Sequence, residues 1–186
     1  MGVYQEEFMY TIDDIVKKLE LLDIFCGIRK TKGQLILFGG SAILIRLELE
    51  NFSFRPTKDI DVGILKSMDE KELVQAIREA NIDLIVGTIE VPPPEDFRDM
   101  EKYKLETNTL DNIEVFVPSF ELLACTKLFS KRQKDLDDLE QTDLLNVCNK
   151  EALLELVEDY KGYVVNPEHP DWNYKKIDDI FSVRSI

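Results

Sequence analysis

The order of apolar and polar residues along the chain predicts helices and short strands in alternation. Apolar side chains recur at helical spacing over residues 11–25. The apolar run QLILF at residues 34–38 ends at two glycines, which predicts a buried strand. Helical spacing returns at residues 41–50, and DIDVGIL at residues 59–65 predicts a second strand. Residues 67–81 then have the pattern of a surface helix.

The second half of the chain predicts two further strands and then helices. YKLET at residues 103–107 and NIEVFVP at residues 112–118 have the composition of strands joined by a hairpin connection. Residues 82–100 are ambiguous, because their first part has strand character and three consecutive prolines follow. From Ser119 onward the pattern is helical, and the tail from Val164 has no clear period.

This order of elements predicts the fold class α+β (α/β), with a small mixed β-sheet flanked by helices and a helical C-terminal part. We expect an αβ core at residues 1–118. A helical extension at residues 119–186 is expected to pack on that core as one compact unit. A chain of 186 residues is long enough for a domain with a sizeable core.

Composition narrows the classes of partner. Lys and Arg total 23 against 37 Asp and Glu, a formal net charge of −14. That charge argues against non-specific coating of nucleic acid or anionic membrane, although a local basic patch could still hold a nucleic acid. The three cysteines lack CxxC spacing and predict free thiols. With no leader-like start and no apolar run of about 20 residues, we expect a cytoplasmic protein without a membrane partner.

Gly39 and Gly40 join the first predicted strand to the helix that follows it. Glycine allows the close approach and the unusual dihedral angles of a phosphate cradle, and a helix N-terminus directs backbone N–H groups at an anion. Ser41 adds a hydroxyl donor. An ordinary turn is the alternative, since the segment is neither a P-loop nor a GxGxxG motif.

Three acidic residues stand between apolar neighbours in predicted strands. Asp59 and Asp61 are two residues apart, so their carboxylates lie on one face, separated by about 6.6 Å. If the strand of Glu114 neighbours theirs, three carboxylates meet within about 5 Å and each pair repels by roughly 3 kcal/mol. Such a cluster must take up protons or hold a cation, and oxygen ligands suit Mg²⁺ or Mn²⁺. Solvated acids on an edge strand are the alternative.

These motifs together resemble those of the DNA polymerase β-like nucleotidyltransferase superfamily. The matching strings are FGGSA, DIDV and IEV. The segments RPTKDID and KRQKDLDDL resemble those of a bacterial branch of small nucleotidyltransferase-like proteins, which is allied to abortive-infection and toxin–antitoxin nucleotidyltransferases. The resemblance covers about residues 34–140. It implies a nucleotidyltransferase-like fold and metal-dependent transfer of a nucleoside monophosphate from a nucleoside triphosphate (NTP) to a hydroxyl group.

The resemblance also implies roles for the acidic residues. Asp59 and Asp61 would bind the metal ions and take part in catalysis. Glu114 would be the third catalytic and metal-binding carboxylate, the one that assists deprotonation of the acceptor. Many active members carry aspartate at that third position, so Glu114 departs from the pattern.

Five further residues would contact the nucleotide. Gly39, Gly40 and Ser41 would hold the triphosphate. Arg55 could meet a phosphate or the acceptor, and a salt bridge to a nearby acid explains it equally well. Lys127, on the helix after the third acidic strand, could reach the phosphates as a point charge, with a solvated helix lysine as the alternative.

Beside a structural or interaction domain whose acids lie on an exposed edge, two interpretations of function stay open on the sequence alone. The first is an enzyme whose acceptor is a protein, a tRNA or other RNA, or a small molecule, with a partner protein if it belongs to a toxin–antitoxin pair. The second is a catalytically inactive module of the same fold that binds a nucleotide or a protein. Histidine chemistry is disfavoured, because His169 is the single histidine and has no partner pattern.

Overall fold

The computed structural model describes residues 8–85, 91–93 and 96–185, and five strands in these ranges form one mixed sheet. The spatial order is β3-β2-β1-β5-β4. The pairs β1/β2 and β4/β5 are antiparallel, and β1/β5 and β2/β3 are parallel. The strands are β1 Gly33–Phe38, β2 Asp61–Ser67, β3 Asp83–Leu84, β4 Lys102–Lys104 and β5 Ile113–Pro118.

Eight α-helices surround this sheet in the described ranges, which confirms the predicted mixed α/β fold class. Short 3₁₀ segments lie at 96–98, 161–163 and 173–176. The helices are α1 Ile12–Ile28, α2 Gly39–Leu49, α3 Glu70–Glu79, α4 Phe120–Leu128, α5 Gln133–Gln141, α6 Leu144–Val147, α7 Lys150–Tyr160 and α8 Ile177–Arg184.

Local signals in the sequence explain where several helices begin. Thr11 caps α1 by accepting a hydrogen bond from the backbone N–H of Asp14, whose carboxylate accepts from the Thr11 backbone in return. Ser119 caps α4 by accepting a hydrogen bond from the backbone N–H of Leu122. Within the helical pattern that begins at Ser119, Thr142 is extended and separates α5 from α6.

The two faces of the sheet bury apolar clusters of different size. Leu35 and Leu37 of β1 face the main core, which also contains residues from α1, α2, α3, α4 and the later helices. Ile36 and Phe38 point to the opposite side, where they pack with Phe97 and others in a smaller cluster. We call that side of the sheet the second face. Within the described ranges, no helix is both long and apolar enough to cross a lipid bilayer.

Candidate active site

The glycine pair lies where β1 ends and α2 begins. Gly39 has a φ of +60°, a left-handed backbone conformation that residues other than glycine rarely adopt. A Cβ atom at Gly39 would lie 2.7 Å from Asp61 Oδ2, and one at Gly40 would lie 2.8 Å from Thr57 Oγ1. Both positions therefore need glycine, because Asp61 and the loop before it approach the turn closely.

Asp61 is the first residue of β2 and pairs with Phe38, the last residue of β1. The register brings its half-buried carboxylate to the N-terminal end of α2, beside Gly39. Asp59 precedes the strand and is exposed, and its backbone carbonyl accepts a hydrogen bond from Thr57 Oγ1 at 3.3 Å. The structure thus brings Asp61 to the predicted phosphate cradle, with Asp59 two residues away along the chain.

Glu114 does not lie beside this pair, so the condition on which a cluster of Asp59, Asp61 and Glu114 was expected is not met. The strand of Glu114 neighbours β1 rather than β2, and Glu114 lies opposite Gln34. Gln34 is four residues before Phe38, which places Glu114 about 13 Å from Asp61 along the strand direction alone. Metal–oxygen bonds of about 2.1 Å cannot bridge that separation.

Asp83 is a further acidic residue beside Asp61, and the sequence pattern did not predict it. It lies directly opposite Asp61 in the parallel pair of β2 and β3, and neighbouring strands are about 4.8 Å apart. Its N–H donates to the carbonyl of Ile60 at 2.9 Å, which fixes the register between the two acids. The signal was present as Ile82-Asp83-Leu84, another apolar–acid–apolar triplet, but it falls in the segment whose pattern was ambiguous.

Arg55 and Lys127 are held by acidic side chains. Arg55 contacts Asp138 at 3.2 Å, which is the salt bridge that the sequence left open, and it also lines a small cavity beside Gly40. The Lys127 ammonium is buried, 2.5 Å from Asp135 Oδ1 and 2.9 Å from Asp138 Oδ2. Lys127 of α4 is therefore held by two carboxylates of α5. Its contact with a nucleotide stays a prediction, and this geometry does not favour it.

Ser41 is fully buried in the first turn of α2. Its hydroxyl donates to the carbonyl oxygen of Phe38 at 3.1 Å. The hydroxyl thus stabilises the turn from its buried side. The groups that remain available to bind an anion at this helix end are backbone N–H groups.

The donor chemistry of the acidic residues suits a hard divalent cation. Asp59, Asp61 and Asp83 offer only oxygen ligands. Among the residues that the structure describes, no group of three or more acidic, histidine or cysteine side chains is arranged as a complete metal site. Mg²⁺ is commonly held by one or two carboxylates together with substrate phosphates, so the pair Asp61 and Asp83 fits a metal that arrives with a nucleotide.

Comparison with known families identifies the family of the chain. Residues 14–182 match the family described as "Nucleotidyltransferase of unknown function (DUF6036)", and the chain belongs to that family. No curated protein and no solved structure matches the chain. The resemblance to nucleotidyltransferases that FGGSA and DIDV predict is confirmed at the level of the family.

Proposed function

We propose that the protein is a metal-dependent nucleotidyltransferase that moves a nucleoside monophosphate from an NTP to a hydroxyl group. The observation that carries this proposal is the register of β1, β2 and β3. It brings Asp61 to the glycine turn at the start of α2 and sets Asp83 opposite Asp61. An anion-binding helix end and paired carboxylates are the two parts that phosphoryl transfer requires.

Each part of the site has a separate task in this proposal. The backbone N–H groups at Gly39 and Gly40 bind the phosphates, and Gly39 leaves room for the Asp61 carboxylate. Asp61 and Asp83 would hold a metal ion together with the phosphates, and Asp59, two residues before Asp61, would add a further carboxylate. When bound, divalent ions neutralise the triphosphate and stabilise charge in the transition state. Asp83 replaces Glu114 as the third carboxylate.

The proposed reaction forms one phosphorus–oxygen bond and breaks another, as in other transfers of a nucleotidyl group. The acceptor oxygen forms a bond to the α-phosphorus, the bond between the α-phosphorus and its bridging oxygen breaks, and pyrophosphate leaves. A carboxylate oxygen of Asp83 accepts the hydroxyl proton. Catalysis is then mainly positioning and charge stabilisation.

A non-catalytic function of the same site is the second candidate. The absence of a complete three-ligand metal site among the described residues favours it, as does the exposure of Asp59 outside the strand. In that case the glycine turn binds a nucleotide without turnover. Whether the acceptor is a protein, an RNA or a small molecule, and whether the chain acts in a toxin–antitoxin system, are further predictions from the resemblance.

Label transfer from NTPs distinguishes the two functions. The protein is incubated with Mg²⁺ and each NTP, labelled at either the α- or the γ-phosphate, with protein, tRNA and small-molecule acceptors. The enzyme transfers α-label but no γ-label. Metal-dependent NTP binding by calorimetry without α-label on any acceptor supports the binding module instead.

Substitutions at the acidic residues assign their roles. Asp61→Asn and Asp83→Asn should each reduce transfer by roughly 100-fold or more, because each removes charge at the reacting phosphate. Glu114→Gln is the control, since Glu114 is a half-buried strand acid like Asp61 but lies at the far end of the sheet. Full activity in Asp83→Asn together with loss in Glu114→Gln would contradict the assignment of the third carboxylate.

A further inference from the structure

A cavity of about 600 Å³ lies at the end of the sheet opposite the glycine turn. It is bounded by the start of β1, the end of β2, the start of β5 and the loop that joins β4 to β5. A volume of this size is typical of small-molecule sites. The cavity is lined in part by Glu114, which the sequence predicts to be catalytic and which lies away from Asp61.

A row of polar side chains crosses three strands at this cavity. Lys66 of β2 lies opposite Gln34 of β1, which lies opposite Glu114 of β5. Gln34 Nε2 donates to Glu114 Oε2 at 2.6 Å, and Lys104 of β4 donates to Glu114 Oε1 at 2.5 Å. Residues opposite one another on neighbouring strands share a face, so the row lies on the second face of the sheet.

A β-bulge places Lys66 in this row. Between the pairs Gln34–Lys66 and Leu35–Ile64, the strand β2 contains one extra residue, Leu65. Without that extra residue, Leu65 would face Gln34 and Lys66 would point to the main core. Bulges redirect side chains in this way and are frequent beside functional sites.

Three lysines from separate elements surround the cavity in a chain whose net charge is −14. Lys104 is paired with Glu114, and Lys32 donates to a backbone carbonyl at 3.1 Å. Lys66 makes no hydrogen bond and no ion pair with any residue in the part of the chain that the structure describes. The acids Glu106 and Asp111 lie at the exposed rim. Lys66 is exposed and lines the cavity, so its ammonium is available to an anion there.

The rest of the lining is mixed in character. Ser67, Thr107 and Asn112 offer hydroxyl and amide groups, while Leu105 and Leu110 provide an apolar surface. Such a lining accommodates a molecule that combines an anionic group, hydroxyl groups and a less polar part.

We infer that this cavity is a second ligand site, which binds a phosphate ester of about mononucleotide size. The phosphate contacts Lys66 and Lys32, and hydroxyl groups of the ligand donate to the remaining lone pairs of Glu114. The site is about 13 Å along β1 from Asp61 and contains none of the proposed metal ligands. Binding there requires no divalent cation, so it is independent of the proposed transfer reaction.

Calorimetric titration in EDTA tests this inference, because EDTA removes the cation that the active site requires. The probes are AMP, ribose 5-phosphate, inorganic phosphate and adenosine. We expect AMP or ribose 5-phosphate to bind more tightly than inorganic phosphate and adenosine not to bind. The comparison of AMP with ribose 5-phosphate shows whether the ligand is a nucleotide or a sugar phosphate. Equal binding of adenosine and AMP, or no binding of any probe, would overturn the inference.

Variants locate the bound molecule. Lys66→Gln should weaken binding about tenfold, the effect of losing one charged hydrogen bond, and Lys66→Arg should retain it. Lys17→Gln, which removes an exposed lysine from α1, is the matched control and should leave binding unchanged. If Asp61→Asn abolishes binding while Lys66→Gln does not, the ligand occupies the glycine turn. That result would refute the second site and leave the proposed transfer reaction standing.

Discussion

Lys127 has its ammonium enclosed by the carboxylates of Asp135 and Asp138. Burial alone would lower the pKa of Lys127, but the two carboxylates outweigh it and the pKa is raised. Burial likewise would raise the pKa of Asp135, yet the ammonium of Lys127 and the hydrogen bonds of Ser130 and Arg132 hold it below its ordinary value. The raised pKa of Lys127 and the lowered pKa of Asp135 keep this pair ionised at neutral pH, and the pair joins α4 to α5.

Replacing Lys127 with methionine should destabilise the protein by about 3–5 kcal/mol at pH 7, because two buried carboxylates lose the ammonium between them and keep only the more exposed Arg132 and Arg55. Urea unfolding measures this loss. Lys134→Met, at an exposed position on α5, is the control and should change the free energy of unfolding by no more than about 0.5 kcal/mol. An unchanged stability in Lys127→Met combined with lost nucleotide binding would restore the role that the sequence predicted.

The deficit of Lys127→Met should shrink as the pH falls from 8 to 5. In the wild-type protein the lowered pKa of Asp135 stabilises the fold above the unfolded value of about 3.9, and this contribution is lost only below it. In the variant, Asp135 loses the buried ammonium and keeps only the exposed Arg132, at 2.6 Å, so burial then raises its folded pKa above the unfolded value and protonation becomes stabilising. A deficit that is constant with pH would contradict this account.

Local patterns in the sequence predict single elements well and pairings between them poorly. The run QLILF is β1, and Gly39 and Gly40 end it as predicted, because apolar period and glycine geometry are local properties. The position of Glu114 depends on which strand β5 pairs with and in what register. That is a non-local property, and two triplets of the same kind, at Asp83 and Glu114, could not be ranked from sequence. The register sets Asp83, and not Glu114, opposite Asp61.

The C-terminal helix α8 was missed for a related reason. Its segment is only eight residues long and follows a proline-containing stretch, so there is little length over which a helical period can appear. In the structure, Ile177, Ile180 and Phe181 are buried against the main core. Tertiary packing stabilises this short helix where its own sequence preference would not.

The turn between β1 and α2 should tolerate no side chain at its first glycine. Gly39→Ala places a methyl group 2.7 Å from Asp61 Oδ2 and forces alanine into a left-handed conformation, which costs about 1–2 kcal/mol before any contact is counted. We expect a lower urea midpoint and loss of nucleotide transfer, since Asp61 must move.

Gly162→Ala is the matched substitution for this turn. A Cβ atom at Gly162 would meet nothing within 4 Å, so stability should change by no more than about 0.5 kcal/mol. If the two alanine variants unfold at the same urea concentration, the tight approach of Asp61 to the turn is not a feature of the protein in solution.

The main core contains residues from both parts of the chain that the sequence divides at position 118. Leu35 and Val115 of the sheet belong to the same apolar cluster as Leu123 of α4 and Leu153 of α7, and Trp172 packs against it. The contact of Arg55 with Asp138 joins the two parts at the surface as well. A shared core makes separate unfolding of the helical extension unfavourable.

We therefore expect one cooperative unfolding transition, detected equally by probes in either part. Trp172 fluorescence reports on the C-terminal part, and pulse labelling of Cys26, read by mass spectrometry, reports on the N-terminal part. Burial, together with the charge of Asp23, raises the pKa of Cys26 to about 11, so its thiol should react only when the protein unfolds. Far-UV circular dichroism follows all helices together. Coincident urea midpoints for the three signals support a single unit, whereas a Trp172 transition that precedes Cys26 labelling would show that residues 119–186 unfold as a domain of their own.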